Sequence, residues 1–252
     1  MGIVHFVGAG PGAADLITLR GAQLLSQADV VLYDALTDPA LRELAPNARW
    51  IDVGKRGFRD GSTGQAAIDA LLVQHARESA VVVRLKGGDP GVFGRLEEEL
   101  EALAAAGIAC SVVPGITAAL AAAASTRRPL TRRGSGRSVA LTTAMTRSGA
   151  LRASRGADTE VFYMAGQQLD ALARRLLDAG WRPETPASVV SRAGWPDALH
   201  SDHDIATLER AAMMHAGRPT VVTVGAGARP VETGPHEPAA ITRTGPVPAA
   251  KP

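Results

Sequence analysis

The chain has one cysteine, Cys110, three lysines and nine aromatic side chains (three Trp, two Tyr, four Phe) among 252 residues. A lone thiol excludes an intrachain disulfide and a cysteine-rich zinc site, and no metal is expected. No apolar run approaches the roughly 18–20 residues of a membrane span, and no signal peptide precedes the first strand-like segment. The expected compartment is therefore the cytoplasm, with no membrane partner. With so few rings, the cores must be built from small and aliphatic side chains. Lysine is scarce although charge is not: 24 of the 27 basic residues are Arg, and against 25 acidic ones the net charge is +2. Genomic base composition accounts for such a bias. So does a partner carrying several carboxylates or phosphates, which guanidinium forks bind bidentately. Composition leaves both open.

What is present fits a globular protein: 46% hydrophobic and 21% charged residues, enough chain for one large domain or two small ones. Residues 3–7 form an apolar run that ends in a Gly-Pro-Gly loop. Helical apolar spacing follows over 19–25, with Thr18 as a cap. Residues 30–33, 50–53 and 80–85 read as strands, and 62–65 have the capping-box spacing that opens a helix to about Arg77. Residues 97–106 read as a helix, 108–113 as a strand and 117–124 as an Ala-rich helix. Strands alternating with helices imply crossover units and a mainly parallel sheet. Residues 127–137, with Pro129, Gly134, Gly136 and five arginines, break this rhythm and mark an interdomain connection. A second α/β half follows, with strands near 139–143, 160–163, 187–190 and 221–224 and its clearest helix at 169–178. From Arg229 there are six prolines in 24 residues, a composition expected to be disordered. The fold class expected is α/β, with domains at 1–128 and 138–228, a linker at 129–137 and a Pro-rich tail at 229–252.

Three glycine-containing loops follow strands. Val7-Gly8-Ala9-Gly10-Pro11-Gly12 is a strand–loop–helix unit in which small residues let backbone N–H groups approach a ligand. It departs from the dinucleotide fingerprint at Ala13 and Pro11, and a tight structural turn reads equally well. Lys86-Gly87-Gly88-Asp89-Pro90 closes the fourth strand; Asp89 is a carboxylate for an amine or a ribose, or a turn former before Pro90. Val113-Pro114-Gly115-Ile116-Thr117 is again a strand end leading into a helix. Ligands of open α/β sheets sit beyond the carboxyl ends of strands, so loops at several such ends suggest one cleft.

These loops belong to an ordered series of seven motifs. The others are Tyr33-Asp34, Val53-Gly54-Lys55-Arg56, Pro129-Leu130-Thr131 and Phe162-Tyr163-Met164. In this order the chain resembles the tetrapyrrole (precorrin-type) methyltransferase family from about Ile3 to Gly225. The resemblance implies two α/β domains with S-adenosyl-L-methionine (SAM) in the cleft between them, usually in a homodimer. It places SAM contacts on Pro11, Gly87, Gly88, Asp89, Val92, Thr117, Ala118, Met164 and Ala193, although Met164 read by itself is as well a core residue. It assigns acid–base roles to Asp34 and Lys55 and substrate contacts to Arg95, Glu98 and Arg133. Without it, Asp34 reads first as a helix cap. The implied reaction is methylation of two pyrrole carbons of uroporphyrinogen III, giving precorrin-2 on the route to sirohaem and cobalamins, with S-adenosyl-L-homocysteine (SAH) as product. Alternatives are methylation of another precorrin or of RNA, and a paralogue that binds SAM or tetrapyrrole without catalysis.

The substrate is a polycarboxylate, and Arg127, Arg128, Arg132, Arg133 and Arg137 lie near the expected junction. Bidentate pairing with acetate and propionate groups is the favoured reading of this cluster; a phosphate-binding patch and a solvated loop are the others, and no nucleic-acid partner is expected. Departures from the family pattern fall on the substrate side: Gly91 and Ser125 replace aromatics, Leu96 and Glu97 two glycines, Arg132 a His, Ala144-Met145 a Gly-His pair and Ser191 a Glu. Loss of the two rings removes apolar walls from the pocket. The two internal lysines, Lys55 and Lys86, both sit inside family motifs, a hint that an ammonium is required there.

Overall fold

The computed structural model describes residues 2–54, 64–145 and 151–231. The first half is built on β1 (Ile3–Gly8), β2 (Val30–Tyr33), β3 (Arg49–Asp52), β4 (Val81–Lys86) and β5 (Cys110–Val113). They form one sheet in the order β3-β2-β4-β1-β5, with every neighbouring pair parallel. Successive side chains point to opposite faces, so each strand feeds two cores. Val4, Phe6, Leu32 and Val82 meet Ile68 and Leu72 of α2 (Gln65–Glu78) and Leu103 of α3 (Leu96–Ala105). Val7, Val31, Val83 and Leu85 meet Leu25 of α1 (Leu19–Ser26) and Leu41. Thr18 caps α1 by accepting the Gly21 N–H at 3.1 Å. The capping-box residues Ser62 and Thr63 fall outside the described residues, as do 232–252 of the expected tail.

The second half contains β6 (Val139–Thr143), β7 (Thr159–Tyr163), β8 (Pro186–Ser191), β9 (Leu199–Asp204) and β10 (Thr220–Gly225), in the order β6-β7-β10-β8-β9. Only β6 and β7 run parallel; the other pairs are antiparallel. β9, Leu-His-Ser-Asp-His-Asp, escapes a reading by apolar alternation because it is a polar edge strand that pairs with β8 alone. One face of this sheet is covered by α5 (Leu169–Asp178) and the helical turn Ile205–Ala212. The other receives α4 (Ala118–Ser125), whose Ala119, Ala121 and Ala122 lie against Val161, Val190 and Val221. α4 follows the last strand of the first sheet yet packs on the second. Its alanines permit that close approach, and its N-terminus stays at the seam between the halves.

Candidate active site

Because β4, β1 and β5 are adjacent and parallel, their C-terminal loops emerge side by side. Gly10 and Gly88 exchange backbone hydrogen bonds, Gly88 N–H to Gly10 O at 2.7 Å and Gly10 N–H to Gly88 O at 3.3 Å. A Cβ on Gly115 would lie 2.2 Å from the Gly88 carbonyl, and one on Gly8 would lie 2.5 Å from the Gly115 Cα. Close backbone approach is therefore the reason for glycine at positions 8 and 115, while Gly10 and Gly88 have φ of 80° and 71°. Asp89 ties the loops together: Oδ1 accepts the Gly91 N–H at 2.8 Å and Oδ2 the Gly115 N–H at 2.9 Å. It is a turn former, and it also spans two loops.

The second half closes on this edge at three points. Ala13 N–H donates to Gly194 O at 2.8 Å, and a Cβ on Gly12 would strike the Trp195 ring at 2.6 Å. Thr117 Oγ1 and the Tyr163 hydroxyl are 2.7 Å apart, and the Ala119 N–H reaches the same hydroxyl at 3.4 Å. Burial pushes the Tyr163 phenol pKa up. Phe93 meets the Tyr163 ring edge-on, with centroids 5.0 Å apart. Met164, next in sequence, has φ 57° and is 40% exposed, so it is no core residue. Val92 and buried Ala193 both join the cluster under α4. Pro11, Gly87, Gly88, Asp89, Val92, Thr117, Ala118, Met164 and Ala193 thus line one seam, drawn from five strand ends. A Cβ on Gly88 would have 3.9 Å to the Thr117 Cα, so space remains beside this loop. Exposed Met164, Phe93 and Leu36 offer apolar surface, while the backbone offers donors and acceptors. That combination fits a ligand with a planar base and a polar amino-acid end, as SAM has.

At the end of β2, Asp34 meets a buried charge cluster that the reading of motifs missed. Arg84 Nη2 donates to Asp34 Oδ1 at 2.6 Å, and Arg84 Nε and Nη2 both donate to Glu99 Oε1 at 3.2 Å. Lys86 Nζ donates to Glu99 Oε1 at 2.9 Å and Oε2 at 3.0 Å. Burial opposes the guanidinium charge, but Asp34 and Glu99 together hold the Arg84 pKa above its ordinary value. Burial, and then the neighbouring Arg84, pull the Lys86 pKa down. The available signal was two cations at alternate positions of a strand expected to be buried, which places both on one face. Asp34 makes no side-chain cap. Lys55 lies outside the described residues.

Arg95, just before α3, pairs bidentately with Glu98 of that helix, Nε to Oε1 at 2.8 Å and Nη2 to Oε2. Arg133 is exposed in a turn closed by Arg132 and Gly136. The arginine cluster divides: Arg128 is buried, forked onto Asp202 and bonded to Ala228 O at 3.0 Å, and Arg132 donates to Arg229 O. These two hold the fold together; Arg127, Arg133 and Arg137 face solvent. Two open depressions, of about 550 and 600 Å³, lie on the second half away from the seam, the first beside Asp158 and Trp181, the second beside Leu151 and Arg175. Among the described residues no group of His, Cys, Asp and Glu is arranged to hold a metal ion.

Residues 4–209 match the family described as Tetrapyrrole (Corrin/Porphyrin) Methylases. A uroporphyrinogen-III C-methyltransferase of Pseudomonas aeruginosa is 40% identical over 239 residues, 93% of this chain and 97% of that protein. A siroheme synthase of Neisseria meningitidis serogroup C is 44% identical over 230 residues, 89% of this chain and 47% of that protein. The chain therefore spans about half the length of the siroheme synthases it matches. Among solved structures, a uroporphyrin-III C-methyltransferase of Thermus thermophilus complexed with S-adenosyl homocysteine superposes with a TM-score of 0.78 at 36% identity, covering 89% of this chain and 97% of the other. A cobalt precorrin-4 methyltransferase gives a TM-score of 0.77 at 28% identity, covering 90% and 96%.

Proposed function

The chain belongs to the tetrapyrrole (corrin/porphyrin) methylase family, and from that premise we propose that it methylates two pyrrole carbons of uroporphyrinogen III, giving precorrin-2 for sirohaem or cobalamin synthesis. The observation that carries this reading is the seam itself. Loops from β1, β4 and β5 meet the ends of β7 and β8 with the residues that the family uses for SAM, and a relative of the same fold binds S-adenosyl homocysteine.

In this reading the backbones of Gly87–Asp89 and Thr117–Ala118 hold the polar parts of SAM, while Val92 and Met164 pack on its apolar parts. Pro11 and Ala193 border the site where the two halves clasp. When bound, SAM supplies a methyl group on a sulfonium centre. An electron-rich pyrrole carbon is itself the nucleophile, so the protein needs no covalent intermediate. It must orient that carbon, exclude water and accept a proton. Asp34 is the proton acceptor, and Lys55 shares the acid–base role that the resemblance gives it, passing that proton on to solvent. Among the described residues Arg84 occupies Asp34 Oδ1, which leaves Oδ2 for the proton. Arg95, Glu98 and Arg133 meet substrate carboxylates; to do so Arg95 must exchange part of its fork with Glu98. We place the protein in the cytoplasm as a homodimer. No helix among the described residues is long and apolar enough to cross a membrane, and the dimer rests on the family resemblance.

Incubation of the pure protein with SAM and enzymatically generated uroporphyrinogen III tests the proposal. Mass spectrometry should show a dimethylated product. SAH binding without any methylated product would sink the reading and favour a ligand-binding paralogue.

A further inference from the structure

The charge cluster beneath Asp34 contains one carboxylate that no step of the proposed reaction uses. Glu99 is 1% exposed, on the first turn of α3, and faces Arg84 and Lys86 from across the α2–α3 side of the sheet. Lys86 takes both of its oxygens, Arg84 shares Oε1 through two nitrogens, and Gln65 Nε2 approaches Oε1 at 3.4 Å. The remaining Arg84 donor, Nη1, is spent on Leu32 O at 3.4 Å and Leu85 O at 3.3 Å. The guanidinium is thus held along its Nε edge by Glu99 and on its far side by two strand carbonyls, which aims Nη2 at Asp34. With Glu99 removed, two cations would stand buried side by side, and among the described residues Asp34 would be their nearest carboxylate. A buried charge left unpaired recruits whatever counterion it can reach.

We propose that Glu99 is a positioning residue for Asp34: it fixes the Arg84 fork that orients the Asp34 carboxylate, and it occupies Lys86 so that this second cation does not compete for the same group. The inference rests on the reading of Asp34 as the proton acceptor. Glu99 itself is buried and reaches the seam through the side chains of Arg84 and Lys86.

The test is kinetics on E99Q, D34N and the double variant, with SAH binding measured by calorimetry. E99Q should lower kcat about tenfold or more, while D34N/E99Q should be no slower than D34N, because Glu99 acts through Asp34. The Kd and stoichiometry for SAH should stay at their wild-type values. An unchanged kcat, a double variant slower than D34N, or a loss of SAH stoichiometry that tracks the loss of kcat overturns the proposal. If E99Q does not fold, K86M/E99Q compared with K86M gives the same contrast, since cation and anion then leave together. If the wild-type protein binds SAH but methylates nothing, the proposed function fails and the linkage is read from urea unfolding of the same variants. There, coupling between Asp34 and Glu99 of about fivefold or more in the unfolding constant supports positioning, and additivity overturns it.

Discussion

In the first sheet every neighbouring pair of strands is parallel and Arg84 and Lys86 of β4 are buried as ions with Glu99; in the second, only β6 and β7 are parallel, and the polar side chains buried around β8 include Ser188, Ser191 and His215. His215, fully buried, places Nδ1 2.9 Å from Ser191 Oγ and Nε2 2.9 Å from Ser201 Oγ, and His203 Nε2 reaches Ser201 at 2.8 Å. Arg218 Nε completes the chain by donating to Ser191 at 3.1 Å. The topologies explain the division of labour. A parallel sheet delivers all its C-terminal loops to one edge, so the first half supplies three loops and the charged group beside them. In the second sheet β10 runs opposite to β7 and β8, so the C-terminal ends of β7 and β8 meet the seam and the second half contributes a wall. The buried ions of the first half lie beside the proposed chemistry, while the wall is held by histidine–serine hydrogen bonds together with the Arg128–Asp202 and Arg218–Asp197 ion pairs.

The strongest way to sharpen this contrast is to remove the proposed base. D34N should cut turnover by about 10²–10⁴-fold while SAH still binds, measured by initial rates and calorimetry. Next comes backbone crowding. G115A forces a Cβ to 2.2 Å from the Gly88 carbonyl and should cost about 3 kcal/mol or more in urea unfolding, with SAH affinity lost in parallel. The same change at Gly180, which has φ 89° but open space, should cost only about 1 kcal/mol. Y163F tests the joint between the halves. It deletes the bond to Thr117 but keeps the ring against Phe93, and it should weaken SAH binding about three- to tenfold.

The smallest effect expected is with pH. Burial holds the folded-state pKa of His215 below the ordinary 6.5, so on acidification the unfolded chain takes up this proton first. Stability owed to the neutral ring is complete above 6.5 and is lost as pH falls through the folded-state value. Hydrogen exchange between about pH 7.5 and about pH 5 should therefore show β8 and β9 losing protection, less so in H215N, whose amide does not titrate. Equal loss in H215N would remove His215 as the cause.

The first half was legible because its strands are runs of Val, Leu and Ile between glycine loops, as in Val81–Lys86. Strand direction was not: nothing in the residues of β8 or β10 distinguishes an antiparallel neighbour from a parallel one. β9 was hidden because its stability comes from pairing with β8, not from its own Leu-His-Ser-Asp-His-Asp composition. The loops of the site were readable because glycine at close backbone approach leaves a local mark. Ion pairs leave none when the partners are distant in sequence. Arg128 read as one of a cluster for acetate and propionate groups until Asp202, on an unforeseen strand, supplied its carboxylate, and nothing local set Glu99 apart from Glu97 and Glu98. Ser191, noted as the place of a missing Glu, gained its meaning from His215 and Arg218, both of which bond to its hydroxyl.

The clasp between Ala13 and Gly194 also sets an order of events during synthesis. A ribosome makes β1 to β5 as one uninterrupted stretch, and that sheet has all its strands before any of the second appears. Gly194 emerges only after β6, β7 and β8, so a nascent chain stalled earlier carries three site loops without this clasp. A methyl donor that binds the closed seam stabilises only chains that have passed this point, which makes its presence a late checkpoint on the growing polypeptide and leaves the birth of the first sheet to the chain itself.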